Sequence, residues 1–121
     1  MKEYPHVLSA TTIIDDKVVN PEGEELGSIK ELMIDMDKGQ VNYAVLSFGG
    51  FLGLGDKLFA IPWEALTLNR EDHSFILNVD KERLENAPGF DQDNWPDEAQ
   101  YASGWLVDLY NYYGYPPYWM A

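Results

Sequence analysis

Residues 43–63 read Tyr43-Ala44-Val45-Leu46-Ser47-Phe48-Gly49-Gly50-Phe51-Leu52-Gly53-Leu54-Gly55-Asp56-Lys57-Leu58-Phe59-Ala60-Ile61-Pro62-Trp63. The first six residues are β-branched, aromatic or apolar at nearly every position, which predicts a central strand buried on both faces. The glycines then interrupt it, because glycine weakens a strand and permits tight backbone approach. A second strand resumes at Leu58, and Pro62 ends it or places it at an edge, since proline cannot donate a ladder hydrogen bond.

The loop between these strands carries three large apolar side chains, at Phe51, Leu52 and Leu54. Loops are usually polar, so this composition needs a reason. Either the loop folds back onto the core or it offers the three side chains to a partner. We therefore identify Phe51, Leu52 and Leu54 as candidate interaction residues.

Turn residues separate further short strands along the chain. The additional predicted strands are residues 17–19, 26–36, 67–69 and 75–79. The apolar alternation in residues 26–36 slips between Ile29 and Leu32, which indicates a bulge or bend in a long strand. About six short strands with regular turns predict a mainly β fold: a small antiparallel barrel or sandwich.

The C-terminal quarter differs in composition from the predicted β domain. Asp80 is a plausible N-cap of a short helix, and residues after Asp91 are acidic and loop-like. A second helix follows Pro96, carries apolar and aromatic residues on one face, and ends at Gly114. We predict a flexible lead-in over residues 1–12, a barrel domain over 13–90, and an acidic linker with an aromatic helix and tail over 91–121.

Aromatic side chains crowd this last segment and bury large areas at interfaces. They can wrap the chain's own sheet and cover an open edge or apolar face. They can equally bind a second subunit or another protein, and the sequence leaves both alternatives open. The candidate interaction residues here are Trp105, Tyr110, Tyr113, Tyr118 and Trp119.

The composition excludes several classes of function. The chain has 121 residues and no cysteine, so it is one small domain without disulfides, a thiol nucleophile or a cysteine zinc site. The net charge of -13 disfavours nucleic acid and direct adhesion to anionic lipid. Residues 1–6 do not resemble a signal peptide, and no apolar run is long enough to span a membrane. We expect a cytoplasmic protein.

No motif in the sequence predicts a reaction. The Gly50 to Gly55 spacing is that of a phosphate loop, but Asp56 stands where such a loop needs lysine. Asp35-x-Asp37-x-Gly39 and Asp91-x-Asp93-Asn94 are similar to calcium loops, but neither continues correctly, so a turn and a linker are the simpler interpretation.

The two histidines, His6 and His73, and the serines lack a nucleophile-elbow context. We therefore predict no enzyme activity, no catalytic, cofactor or metal site, and no cofactor.

Several motifs resemble the PRC-barrel domain family. They are Val19-Asn20-Pro21-x-Gly23-x-x-Leu26-Gly27-x-Ile29, the stretch from Tyr43 to Lys57, Ile61-Pro62-Trp63-x-Ala65-Leu66, and Leu77-Asn78-Val79-x-Lys81-x-x-Leu84-x-x-Ala87-Pro88-Gly89-Phe90. The resemblance covers residues 9–90. Asp15-Asp16 stands where family members often have glycine.

The resemblance implies a small β-barrel that binds or assembles with other macromolecules. The family includes the cytoplasmic domain of the photosynthetic reaction-centre H subunit, and it shares no catalytic residues that could be transferred to this chain. Our leading hypothesis is a non-enzymatic protein–protein interaction module, forming a homodimer and docking another protein. The alternatives are a small-ligand or divalent-cation sensor, or a role in photosynthetic electron transfer like that of the H subunit.

Overall fold

The structure is a computed structural model that describes residues 4–49 and 56–120. Its strands are β1 (Lys17–Val19), β2 (Glu25–Asp35), β3 (Gln40–Gly49), β4 (Asp56–Pro62), β5 (Leu66–Asn69), β6 (Ser74–Leu77) and β7 (Gly89–Phe90). Its α-helices are α1 (Ala10–Ile13), α2 (Lys81–Glu85), α3 (Glu98–Ala102) and α4 (Trp105–Tyr113). Short 3₁₀ turns lie at Trp63–Ala65 and Tyr118–Met120. The mainly β prediction is confirmed.

The strands form one mixed sheet in the order β5-β6-β1-β2-β3-β4-β7. Two features correct the expected antiparallel barrel of about six strands. β1 pairs in parallel with β6, where Val18 lies opposite Phe75. A seventh strand, β7, adds to β4 through only two residue pairs. The sheet is not closed, because its end strands β5 and β7 are not paired with each other in the described residues.

Both corrections concern features that leave little local signal. β7 has two residues and follows Pro88, so it is too short to show a period of two. The parallel partner of β1 lies more than 50 residues away, and no periodicity within a strand specifies such a crossover.

The predicted irregularity in β2 is confirmed. The register with β3 shifts between Ile29 and Glu31, as expected for a bulge that bends a long strand. Gly27 lies just before this point with φ 145°, and a Cβ there would collide with the carbonyl oxygen of Ser47. Only glycine therefore fits where β2 crosses the neighbouring backbone.

The central strand β3 is buried on both faces, as predicted. Ala44 and Leu46 belong to a core cluster on one face of the sheet. Tyr43 and Val45 belong to a second cluster on the opposite face. A strand alternates its side chains between two faces, so covering both requires a second layer over β3 and β4. Helix α4 supplies that layer.

Candidate functional site

Residues 98–120, here called the C-terminal cover, lie over one face of the sheet. Asp97 caps α3 in a capping box with Gln100, and Gly114, in the left-handed conformation with φ 82°, ends α4. The predicted glycine stop is confirmed, but the single helix expected after Pro96 is two helices, because Gly104 has a left-handed backbone between α3 and α4. The tail is extended only as far as Pro117, because residues 118–120 form a 3₁₀ turn.

Aromatic contacts attach the C-terminal cover to β3. Tyr110 is fully buried, and its hydroxyl donates to the carbonyl oxygen of Asn42 at 2.6 Å. Trp105 packs edge-on against Tyr43, with ring centroids 5.5 Å apart. Trp119 packs edge-on against Tyr110 at 4.9 Å. In this structure the aromatic segment thus covers its own chain, which is one of the two alternatives that the sequence left open.

The five aromatic residues selected from the sequence differ in exposure. Tyr110 has no exposed surface, whereas Trp105, Tyr113, Tyr118 and Trp119 are half-buried among the residues that cover the sheet. The hydroxyl oxygen of Tyr113 is buried without a hydrogen-bond partner in the described residues, and burial raises the pKa of this hydroxyl. Phe51, Leu52 and Leu54 lie outside the described residues.

A polar network joins the tail to the β2–β3 hairpin. The Tyr118 hydroxyl donates to Oδ2 of Asp35 at 2.6 Å, and Nδ2 of Asn42 donates to the Tyr118 oxygen at 3.0 Å. The hydrogen bond from Tyr118 lowers the pKa of the Asp35 carboxyl, because it stabilises the charged form. Burial, together with the same hydrogen bond, raises the pKa of Tyr118 to about 12.

A cavity of about 460 Å³ lies between this hairpin and the C-terminal cover. We call it the hairpin cavity. Apolar and aromatic side chains form part of its wall, and Asp35, Asp37, Lys38 and Asn42 also line it. A small cavity with apolar walls and a few converging polar groups is the usual form of a small-ligand site.

A second, larger groove of about 630 Å³ lies beside the end strand β5. We call it the β5 groove, and its main apolar walls are Leu32, Val41, Trp63, Leu66, Leu68 and Phe75. His6, Thr67 and Arg70 are the polar side chains among the described residues that line it. The groove is thus largely apolar and adjoins the backbone of a strand at the end of the sheet.

In the two turns that are similar to calcium loops, a carboxylate accepts hydrogen bonds from groups of its own turn. Oδ1 of Asp35 accepts from the backbone N–H groups of Asp37 and Lys38, while its Oδ2 accepts from Tyr118. Oδ1 of Asp91 accepts from the backbone N–H of Asp93 and from the side-chain Nδ2 of Asn94. Within residues 4–49 and 56–120 the structure has no group of three potential metal-ligating side chains.

His73 and Ser74, which were considered for catalysis, lie in or beside a hairpin turn. His73 has a left-handed backbone, with φ 54°, in the turn between β5 and β6. Beside it, the Ser74 hydroxyl donates to Oδ1 of Asp72 at 2.6 Å. The same Asp72 oxygen accepts from the backbone N–H of Ser74, so both groups of Ser74 serve the turn, as is common for this residue type.

No helix in the described part of the chain is long and apolar enough to cross a membrane.

Sequence reasoning missed Asn42 and Tyr101 as parts of a site. Asn42 is only 7% exposed. The hydroxyl groups of Tyr101 and Tyr43 form a hydrogen bond, with 2.7 Å between their oxygens. A polar amide between Val41 and Tyr43, in a strand predicted to be buried, was an available signal, because a buried amide needs partners.

Comparison with known proteins identifies the family of this chain. A search of curated proteins finds no match. The sequence profile of the PRC-barrel domain matches residues 5–84, which is well over half of the chain and includes β1 to β6. The matched region ends before α3 and α4, so the C-terminal cover lies outside it. The chain therefore belongs to the PRC-barrel domain family.

Proposed function

We propose that this protein is a non-enzymatic protein–protein interaction module that forms a homodimer through strand β5. The observation that supports the proposal most directly is the position of β5. It is the end strand of the sheet, and it borders the apolar β5 groove. An end strand with an adjacent apolar groove is a surface to which another strand can add.

The sequence of β5 offers little protection against such pairing. The strand reads Leu66-Thr67-Leu68-Asn69 and contains no charge and no proline. Natural sheets usually protect an exposed edge with charged residues or proline. In the described residues β5 pairs with β6 on one side. Its other side is therefore suited to a partner strand.

A second copy of the chain fits this edge by symmetry. Antiparallel pairing of β5 with β5 of the copy is self-complementary, as a twofold interface requires. Each chain carries a net charge of -13, so two copies repel each other at long range. Apolar contacts in the two grooves would supply the association free energy, and Arg70 at the groove is favourable beside an acidic copy.

The same proposal gives the aromatic tail a structural role. Tyr110 is fully buried and Trp105, Tyr118 and Trp119 pack against the sheet. We propose that these residues stabilise β3 and β4, so that the β5 groove serves the homodimer and Phe51, Leu52 and Leu54 stay the candidate residues for docking another protein.

The test is the solution mass of the full chain by light scattering. We expect a dimer for the wild type and a monomer for Thr67→Lys, because Thr67 is exposed on β5 and the change places two like charges at the interface. Gln92→Lys is the matched control, since it adds the same charge at an exposed position in the linker. A monomeric wild type, or a Thr67→Lys variant that remains dimeric, would contradict the proposed interface.

A further inference from the structure

The hairpin cavity has two kinds of wall. One is apolar and aromatic, and includes Met33, Leu106 and Trp119. The other is polar and includes Asp35, Asp37 and Asn42. A ligand that fits both must have an apolar body and a polar head, so the nature of the head decides the class of ligand.

The charges at the cavity favour a cationic head. Two carboxylates, Asp35 and Asp37, line it against the single ammonium of Lys38. Three aromatic residues, Tyr43, Tyr101 and Trp119, also line the cavity, and aromatic rings attract cations.

An independent observation favours a head that donates hydrogen bonds. Asn42 lines the cavity and is more than nine-tenths buried. Its Nδ2 donates to Tyr118, but its Oδ1 has no hydrogen-bond partner in the described residues. A buried acceptor without a donor is costly, so an N–H group that reached it would be stabilised.

These observations point to one chemical class. We propose that the hairpin cavity binds an organic primary ammonium with an alkyl body, the ammonium lying towards Asp35 and Asn42 and the alkyl chain along Met33, Leu106 and Trp119. The proposal is separate from the dimer interface, because the residues of β5 do not line this cavity.

Calorimetric titration of the full chain with three ligands tests the class. Hexylamine, 1-hexanol and hexanoate share an apolar chain and differ in the charge of the head. We expect hexylamine to bind at least ~10-fold more tightly than 1-hexanol, since the extra free energy of a hydrogen bond to a charged group corresponds to about that factor in affinity. Hexanoate should give no binding. Equal binding of all three, or no binding of hexylamine, would overturn the proposal.

A pair of variants tests the location. Asp35→Asn removes the charge and retains an oxygen acceptor for the turn, and we expect it to weaken hexylamine binding ~10-fold. Asp72→Asn is the matched control, because Asp72 also accepts backbone and hydroxyl donors in a hairpin turn but does not line the cavity. A similar loss in both variants would show a general charge effect and reject the site.

Nuclear magnetic resonance provides a test that needs no variant. Hexylamine should shift the indole N–H resonance of Trp119 and leave that of Trp63 in the β5 groove unchanged. The reverse pattern would overturn the assignment. Nα-acetyl-lysine amide distinguishes the source of the ammonium: if it binds as tightly as hexylamine, the group belongs to a lysine side chain of a partner, and if hexylamine alone binds, the ligand is a free amine.

Discussion

Tyr118 donates its hydroxyl proton to Oδ2 of Asp35 at 2.6 Å, although the two residues are 83 positions apart in sequence. The other carboxylate oxygen of Asp35 organises the turn between β2 and β3. One carboxylate therefore shapes a hairpin turn and anchors the C-terminal tail. This contact connects the PRC-barrel domain with the segment that follows it.

A double-mutant cycle measures this coupling. Tyr118→Phe and Asp35→Asn should each lower the free energy of unfolding, and the double variant should lower it by less than the sum, because both changes remove one hydrogen bond. Urea unfolding at pH 7 provides the measurement. Tyr118→Phe with Asp72→Asn is the control pair, and its effects should add, since Asp72 accepts its hydrogen bonds within its own turn. If the effects of Tyr118→Phe and Asp35→Asn were additive, the two residues would not be energetically coupled.

The same contact predicts an acid dependence. The pKa of Asp35 in the folded protein is lowered from 3.8, so its contribution to stability is present above that value and is lost as the pH falls through the folded pKa. The stability difference between wild type and Tyr118→Phe should therefore shrink below pH 3.8. Urea unfolding at pH 6 and pH 3 would show it, and a constant difference would contradict it.

Tyr110 should be the most sensitive position of the C-terminal cover, because it is fully buried and its hydroxyl has a partner. Tyr110→Phe should lower the free energy of unfolding by about 1 kcal/mol, the usual net value of one hydrogen bond. Tyr110→Ala should lower it by about 3–5 kcal/mol, since it leaves a cavity. Equal effects of the two changes in urea unfolding would show that ring packing contributes nothing.

Removal of residues 91–121 should expose the second core cluster. Val45, Leu58 and Ala60 are buried in the structure beneath α4. We expect the chain that ends at Phe90 to melt at a much lower temperature and to bind an apolar dye such as ANS. A chain that melts like the full protein would mean that the C-terminal cover contributes little to stability.

Buried tyrosines predict loss of stability at high pH. Burial raises the pKa of Tyr43, Tyr110, Tyr113 and Tyr118 above the ordinary value of 10.0. Above pH 10 the unfolded chain releases these protons while the folded chain retains them, so the free energy of unfolding falls as the pH rises. Urea unfolding at pH 9 and pH 11, with phenolate absorbance, would measure this. Tyr118→Phe should reduce the loss, because it removes one of the tyrosines with a raised pKa. An unchanged loss in this variant would contradict the prediction.

Much of the local structure was predictable from particular residues. The slip between Ile29 and Leu32 predicted the bulge in β2, and the glycine at position 114 predicted the end of α4. Asp80 predicted a helix start and accepts from the backbone N–H of Arg83. In contrast, the parallel pairing of β1 with β6 and the two-residue strand β7 had no local signal.

The candidate sites depended more on distant contacts. The hairpin cavity combines Asp35 and Asn42 of the β2–β3 hairpin with Trp119 of the distant tail. The β5 groove combines residues from the N-terminal segment, β2, β3 and β5. Spacing within one helix or strand predicts neither cavity. The sequence therefore indicated that the aromatic residues of the tail make contacts, but not which residues they contact.

Residue chemistry alone determined six of the seven strands in the described residues, most of the turns and helix ends, and the need for a second layer over the central strand. Backbone preferences and side-chain periodicity act over a few neighbouring residues, so they can be recognised without the fold. The tertiary structure decided the order of the strands, the position of β5 at the end of the sheet and the attachment of the tail to its own sheet. Those outcomes depend on the free energy gained when distant apolar faces pack together and on the entropy lost when the loops between them close. Both quantities depend on the whole chain and not on any one segment.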